Sequence, residues 1–211
     1  MTKLVEKVLE TLPNDVFTDE MVMNLLPGTA DSRQAIIKRA IYRGDILHIK
    51  RGVYALAKKF QRKGIDLFVL SQLIHGPSYV SFESALSRHG WIPEAVYAVT
   101  CASATYARRY ATPLGEFIYK RIPVPMLFLG VKRIETAQGS YLLADPAKAL
   151  VDYVYVHKEE WGSVKAVLSS LRIEAESLAG LDREQLEQLQ AIYDNSRVRR
   201  FLNGLKKELP R

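Results

Sequence analysis

Hydrophobic residues recur at helical spacing from the start of the chain: Leu4, Val5, Val8, Leu9 and Leu12 share one side of a helix predicted over residues 3–12 and ended by Pro13-Asn14. Val16-Phe17 is strand-like. Thr18 then caps a helix over 19–26, whose early acids suit the positive helix end, and Pro27-Gly28 stops it. Thr29 or Asp31 opens a third helix that runs to about residue 43, before Gly44. On its wheel Ile36, Ile37, Ala40 and Ile41 share one arc, and Gln34, Ala35, Lys38, Arg39 and Tyr42 the opposite one. One face packs and the other is left free.

The period then shortens. Leu47 and Ile49 alternate with His48 and Lys50, Arg51-Gly52 makes a tight turn, and Val53 to Leu56 returns as a second strand. Helix, helix, turn, helix followed by a basic hairpin is the order of a winged helix-turn-helix. A cluster of Lys58, Lys59, Arg62 and Lys63 around Phe60 closes the segment, and Gly64 marks the expected boundary between a domain of residues 1–64 and one of 65–211.

Beyond it, helices are expected over 66–74 and 81–89, separated by Gly76-Pro77. Short runs rich in Val, Ile, Tyr and Phe, broken by Pro and Gly, predict four to six strands between residues 95 and 143. Helical periodicity resumes over 146–155, 161–171, 183–193 and 197–205. The expected fold class is α+β: an N-terminal winged helix-turn-helix domain, then an α+β domain with a mostly antiparallel sheet and C-terminal helices.

Composition changes this picture little, but charge changes it more. A hydrophobic fraction of 48% with 25% charged residues is that of a globular protein. The net charge of +7 is uneven, with 12 Lys/Arg against 7 Asp/Glu in residues 1–64. A basic surplus confined to one segment points to a polyanionic partner for it. Cys101 is the only cysteine, so no intramolecular disulfide can form, and the expected setting is a reducing cytoplasm. The longest apolar run is too short to span a bilayer, so no membrane partner is expected.

The common catalytic patterns are missing. Neighbouring glycines are never closer than eight positions, which rules out GxGxxG and P-loop spacing. His48, His75, His89 and His157 are scattered, so no HExxH or Cys/His zinc set can be assembled. No GxSxG elbow occurs, no Asp or Glu stands two residues before a Lys, and neither Gly139-Ser140 nor Gly162-Ser163 is followed by Asp-x-Asp. No catalytic residues, metal or cofactor are therefore expected.

The candidate site is a DNA-binding surface. On the third helix it comprises Ser32, Arg33, Gln34, Lys38 and Arg39, of which Gln34 and Arg39 suit bidentate contacts to adenine and guanine. Lys50, Arg51 and the cluster from Lys58 and Lys59 to Lys63 suit phosphates, and His48 belongs to the same DNA-binding surface. Arg33 falls within the apolar arc by angle and reaches DNA only if the helix start protrudes beyond the core; otherwise its stem packs on the second helix. Arg88, Arg108, Arg109, Lys120 and Arg121, in a stretch carrying a local surplus of basic residues, form a candidate second basic face. The last helix sets Val198, Phe201, Leu202 and Leu205 against Arg199, Arg200, Lys206 and Lys207, and packing on its own domain is its default role.

AIIKRAIYRGDILHIKRGVYAL, YVSFESALSRHGWIPEAVYAVT, TPLGEFIYKRI and LLADPAKALVDYVY, in that order over roughly residues 20–156, resemble the AbiEi family of antitoxins. The resemblance implies a two-domain transcriptional repressor that binds repeats in its own promoter, within an AbiE-type toxin-antitoxin and phage-defence operon. It also implies opposition to a nucleotidyltransferase-like toxin without a stable toxin complex, with the second domain required for that role. It transfers no recognition residues, because the reading side chains change with the operator.

The expectation is thus a sequence-specific repressor on double-stranded DNA, reading inverted repeats as a stable dimer or by cooperative assembly. The alternative is a protein-interaction module that neutralises a toxin by direct binding. An enzyme acting on nucleic acid would instead depend on Glu83, Glu116 or Asp152.

Overall fold

The computed structural model describes residues 1–93, 96–157 and 164–209. The chain is α+β. It begins with helix α1 (Lys3–Thr11), strand β1 (Val16–Thr18), helices α2 (Asp19–Leu25) and α3 (Ala30–Tyr42), and strands β2 (Ile46–Lys50) and β3 (Val53–Leu56). Both of the closely spaced helices start on a threonine: Thr18 accepts a hydrogen bond from the Met21 amide and Thr29 from the Ser32 amide, which satisfies otherwise orphaned donors. Thr29, of the two alternatives, is therefore the cap of α3. Gly44, at φ 64°, takes the left-handed conformation that lets the chain leave α3 and turn into β2.

These strands form an antiparallel sheet in the order β1-β3-β2, with a bulge between His48 and Lys50. One small core, centred on Val5, Val8, Phe17, Val22, Ile37 and Leu56, lies between this sheet and the three helices. Every residue of β3 is buried, however, and Ile49, Val53 and Ala55 belong to a second, larger core. The hairpin is thus covered on both faces. The smaller core lies wholly within residues 4–60, while β2 and β3 also supply side chains to the larger one.

The larger core continues through α4 (Leu67–Ile74), β4 (Ser78–Val80), α5 (Phe82–Arg88), β5 (Ala98–Ser103), β6 (Arg108–Thr112), β7 (Gly115–Arg121), β8 (Val131–Thr136) and β9 (Gly139–Ala144). Among the described residues, helices α6 (Pro146–His157), α7 (Val164–Leu171), α8 (Ala175–Ala179), α9 (Arg183–Ile192) and α10 (Ser196–Glu208) follow. The start expected for α7 at residue 161 lies outside the described residues, as does the Gly162-Ser163 pair. Among the described residues, no helix is long and apolar enough to cross a membrane.

The second sheet has the order β6-β7-β5-β4-β9-β8 and is mixed. As expected the sheet is mostly antiparallel, through β6-β7, β5-β4 and β9-β8, but β5 runs parallel to β7 and β4 parallel to β9. The cause is topological: an antiparallel pair, β4-β5, sits at the centre, and each flanking hairpin docks on it through its second strand. β4 itself was not foreseen. It is three residues long and buried throughout, so it carries no polar alternation to betray it.

Tyr119 donates its hydroxyl proton to the Ser71 carbonyl of α4 at 2.8 Å, and Phe68 packs edge-on against Tyr141, so α4 covers one face of this sheet. On the opposite face Tyr79 donates to Asp152 of α6 at 2.8 Å. Asp152 and Lys148, one helical turn apart and both wholly buried, form an ion pair at 3.1 Å. Ser81 donates to the same carboxylate at 2.7 Å, and Tyr193, just past α9, bonds to both charged groups. Burial, followed by the nearby Asp152 charge, pushes both the Tyr79 and Tyr193 hydroxyls well above their ordinary pKa. The network ties β4, α6 and the end of α9 together in the interior.

Candidate nucleic-acid interface

α3 divides as its spacing requires. Ile37 and Ala40 are buried, while Gln34, Ala35, Lys38, Arg39 and Tyr42 are exposed, Tyr42 at 92%. Neither Lys38 nor Arg39 has a side-chain partner among the described residues. The start of the helix is more committed. Ser32 Oγ donates back to the Thr29 carbonyl at 2.9 Å, and the half-buried Arg33 donates to the Gly28 carbonyl. Both side chains therefore secure the turn between α2 and α3, which leaves Gln34, Lys38 and Arg39 as the exposed candidates on this helix.

The Tyr54 hydroxyl interacts with the Asp19 carboxylate and with the Gln34 amide, and burial first and Asp19 second raise its pKa to about 12. The Asp19 amide in turn donates to the Gly52 carbonyl at 3.1 Å, at the tip of the β2-β3 hairpin. Gly52 has φ 77°, and a Cβ there would come within 3.1 Å of the Asp19 carboxylate, so the tip requires glycine. Asp19 and Tyr54 thus link α2, α3 and the hairpin. The Phe17–Tyr54 ring pair at 5.8 Å makes Tyr54 a packing residue as well.

The hairpin residues split. Arg51 is exposed at the turn with no side-chain partner among the described residues, and His48 is exposed, its ring 5.7 Å from that of Tyr54. Lys50 differs: its ammonium donates to the Ile74 carbonyl at the end of α4, at 2.6 Å. That contact straps β2 to the second half of the chain and corrects the expectation of a free phosphate anchor. Lys58 is exposed and unpaired among the described residues. Lys59 pairs at 3.0 Å with the buried Asp45, and this bond holds the Asp45 carboxyl below the usual range. Nearby, Arg62 binds the buried Asp15 at 2.9 Å and the Leu12 carbonyl at 2.7 Å.

The proposed second basic face is not one surface. Arg108 lies opposite Tyr119 and Arg109 opposite Ile118, so the two arginines point to opposite sides of the sheet. By the same alternation Arg121 falls on the Tyr119 side and Lys120 on the Ile118 side. Arg109 forms a two-pronged pair with Glu116, while exposed Arg88 reaches the Tyr141 hydroxyl at 3.4 Å. Arg108 is the informative one. It lies over the Tyr106 ring at 6.0 Å, and it and Lys50 both act on His75, whose pKa is lowered chiefly by burial. Positive charge therefore continues from the hairpin onto β6, but through Arg108 rather than through all five residues.

Of the acids an enzyme might use, Asp152 is sealed in its network and Glu116 is paired with Arg109. Among the described residues no His, Cys, Asp and Glu cluster is arranged to hold a metal. No protein-family model and no curated protein matches this chain.

Proposed function

We propose that the chain is a sequence-specific repressor that binds double-stranded DNA through an N-terminal winged helix-turn-helix, with α3 in the major groove and the β2-β3 hairpin as its wing. One observation carries the reading: α3 presents Gln34, Lys38 and Arg39 on one exposed arc, and neither cation is spent on an ion pair among the described residues. Past the exposed Asp31 of its first turn, this arc carries two cations and an amide suited to base edges. Arg51 and Lys58 supply the phosphate contacts, and Arg108 extends the basic surface.

The resemblance to AbiEi antitoxins supplies the biological setting: repression of its own promoter at inverted repeats, in an operon with a nucleotidyltransferase-like toxin that the second half of the chain opposes without a stable complex. A titration of the full chain against its own upstream DNA and random duplex at moderate salt tests the DNA-binding reading. The expected preference is on the order of a thousandfold or more, and equal affinity for both duplexes overturns it. Co-purification with the adjacent gene product, in the absence of DNA affinity, would favour neutralisation by direct binding instead.

A further inference from the structure

We propose that the cavity between the N-terminal elements and α4 is a binding site for a small zwitterion with a hydrocarbon body, the chemistry of a free apolar amino acid. It encloses about 260 Å³ and is walled by Val16 of β1 and Met21 of α2 on one side and by Ile65 and the α4 residues Val69, Leu70 and Leu73 on the other, with the β8-β9 turn closing one end. Apolar cavities of about 150 Å³ hold a benzene ring, so this one suits a molecule of roughly ten non-hydrogen atoms and is too small for a peptide helix or strand.

The polar lining carries both signs, and the groups left unspent decide the occupant. Asp15 accepts from the Arg62 amide and from Arg62 Nε, both at 2.9 Å, so that pair is internally satisfied. Asp66 is divided. Its Oδ1 caps α4, at 2.8 Å from the Phe68 amide and 3.3 Å from that of Val69, while Oδ2 accepts no bond and no cation pairs with the carboxylate among the described residues. Gln138 donates its amide to the Lys63 and Gly64 carbonyls at 3.2 and 3.1 Å, which leaves its buried Oε1 without a partner. On the donor side, the Lys63 ammonium and the Asn14 amide are unengaged among the described residues. Lys63 and Asp66 lie in one short segment of the wall and carry opposite charges, yet they form no ion pair with each other. A free cation and a free anion beside one apolar chamber match a ligand that carries both charges. Its ammonium meets Asp66 and Gln138, its carboxylate meets Lys63 and Asn14, and its hydrocarbon lies against Val69 and Leu73. A simple carboxylate leaves Asp66 unanswered, and a simple amine leaves Lys63 so.

The test uses the full-length chain and two zwitterions, leucine and phenylalanine, in titration calorimetry. Each is compared with the molecule lacking its ammonium (isocaproate, hydrocinnamate) and the molecule lacking its carboxylate (isoamylamine, phenethylamine). At least one zwitterion is expected to bind one-to-one with a dissociation constant below about 1 mM, and both of its truncated forms at least about tenfold more weakly. Asp66→Asn keeps an oxygen able to cap α4 and should bind the zwitterion no better than the carboxylate; Lys63→Met should bind it no better than the amine. Val69→Trp, which fills the chamber, should abolish binding. Methyl chemical shifts in the unaltered chain locate the ligand independently of any variant, with Val16, Ile65, Val69 and Leu73 expected to move. No saturable binding by either zwitterion, a truncated form that binds as tightly, undiminished binding by a folded Asp66→Asn, Lys63→Met or Val69→Trp chain, or shifts confined to other methyl groups would each overturn the proposal, and none of these outcomes depends on DNA.

Discussion

Two groups of charge in this molecule follow opposite rules. On α3 and the hairpin tip, Lys38, Arg39 and Arg51 are exposed and unpaired among the described residues. In the interior, Lys148 and Asp152 are wholly buried, paired with each other, and saturated by Tyr79, Ser81 and Tyr193. An exposed cation costs the fold almost nothing to keep, so it remains available to a partner. A buried ion pair has lost its water, and each member persists only because the other is there. Sequence proximity to a basic patch is therefore a poor guide to function; what a charged group is bonded to is a better one. Lys50 and Lys59 sit among the candidate anchors in sequence, yet their bonds to the Ile74 carbonyl and to Asp45 place them with the structural group.

The contrast is most easily broken at Asp152. Asp152→Ala strands Lys148 without a counter-charge and should lower unfolding free energy by about 3–5 kcal/mol in urea denaturation, whereas the double change Lys148→Met/Asp152→Leu should cost less than the single one. A double variant as unstable as Asp152→Ala would contradict the idea that the orphaned charge is what hurts.

Lys50 and Arg51 sharpen the comparison because they are sequence neighbours with opposite assignments. Lys50→Met leaves a half-buried carbonyl without its donor and should cost about 1–2 kcal/mol of stability. Arg51→Ala should stay within about 0.5 kcal/mol of the parent in stability, but weaken binding to every DNA sequence alike and reduce the slope of log affinity against log salt by about one. Stability measured alongside affinity at several salt concentrations separates the two.

Tyr54→Phe removes the hydroxyl between Asp19 and Gln34 while keeping the ring that packs on Phe17. It should cost about 1 kcal/mol of stability and narrow the discrimination at the base pair that Gln34 reads, measured with single-substitution operators.

The smallest effect expected is a pH dependence from His75. Burial, with Lys50 and Arg108 adding to it, lowers the pKa of this imidazole in the folded chain, so between that lowered value and the ordinary value of about 6.5 the unfolded chain binds more protons. Its contribution is therefore complete above the ordinary value and is lost as the pH falls through that window. His75→Gln should flatten this part of the stability profile.

Much of the first 60 residues was legible because their elements are local. Helical spacing located α1, α2 and α3, and the exposed arc of α3 follows from the positions of Ile36, Ile37, Ala40 and Ile41 alone. What escaped depends on pairing between distant segments. Nothing in the alternation of β7 or β9 states whether its neighbour runs parallel, and β4 is too short and too buried to alternate at all. The grouping of Arg108 with Arg109 and Lys120 with Arg121 failed for an elementary reason: adjacent strand residues face opposite ways. The buried network had a visible trace, a Lys and an Asp four residues apart inside the apolar helix PAKALVDYVYVH, but its tyrosines and serine come from elements far away in sequence.

The most direct test of the account is the ratio of affinities for operator and random duplex, measured for the parent chain and for Arg39→Ala at one salt concentration. The account predicts that Arg39→Ala leaves the unfolding midpoint within error and lowers that ratio by about 5- to 150-fold, equivalent to about 1–3 kcal/mol of lost base discrimination. An unchanged ratio in a folded Arg39→Ala protein would contradict the claim that the exposed, unpaired arc of α3 reads DNA.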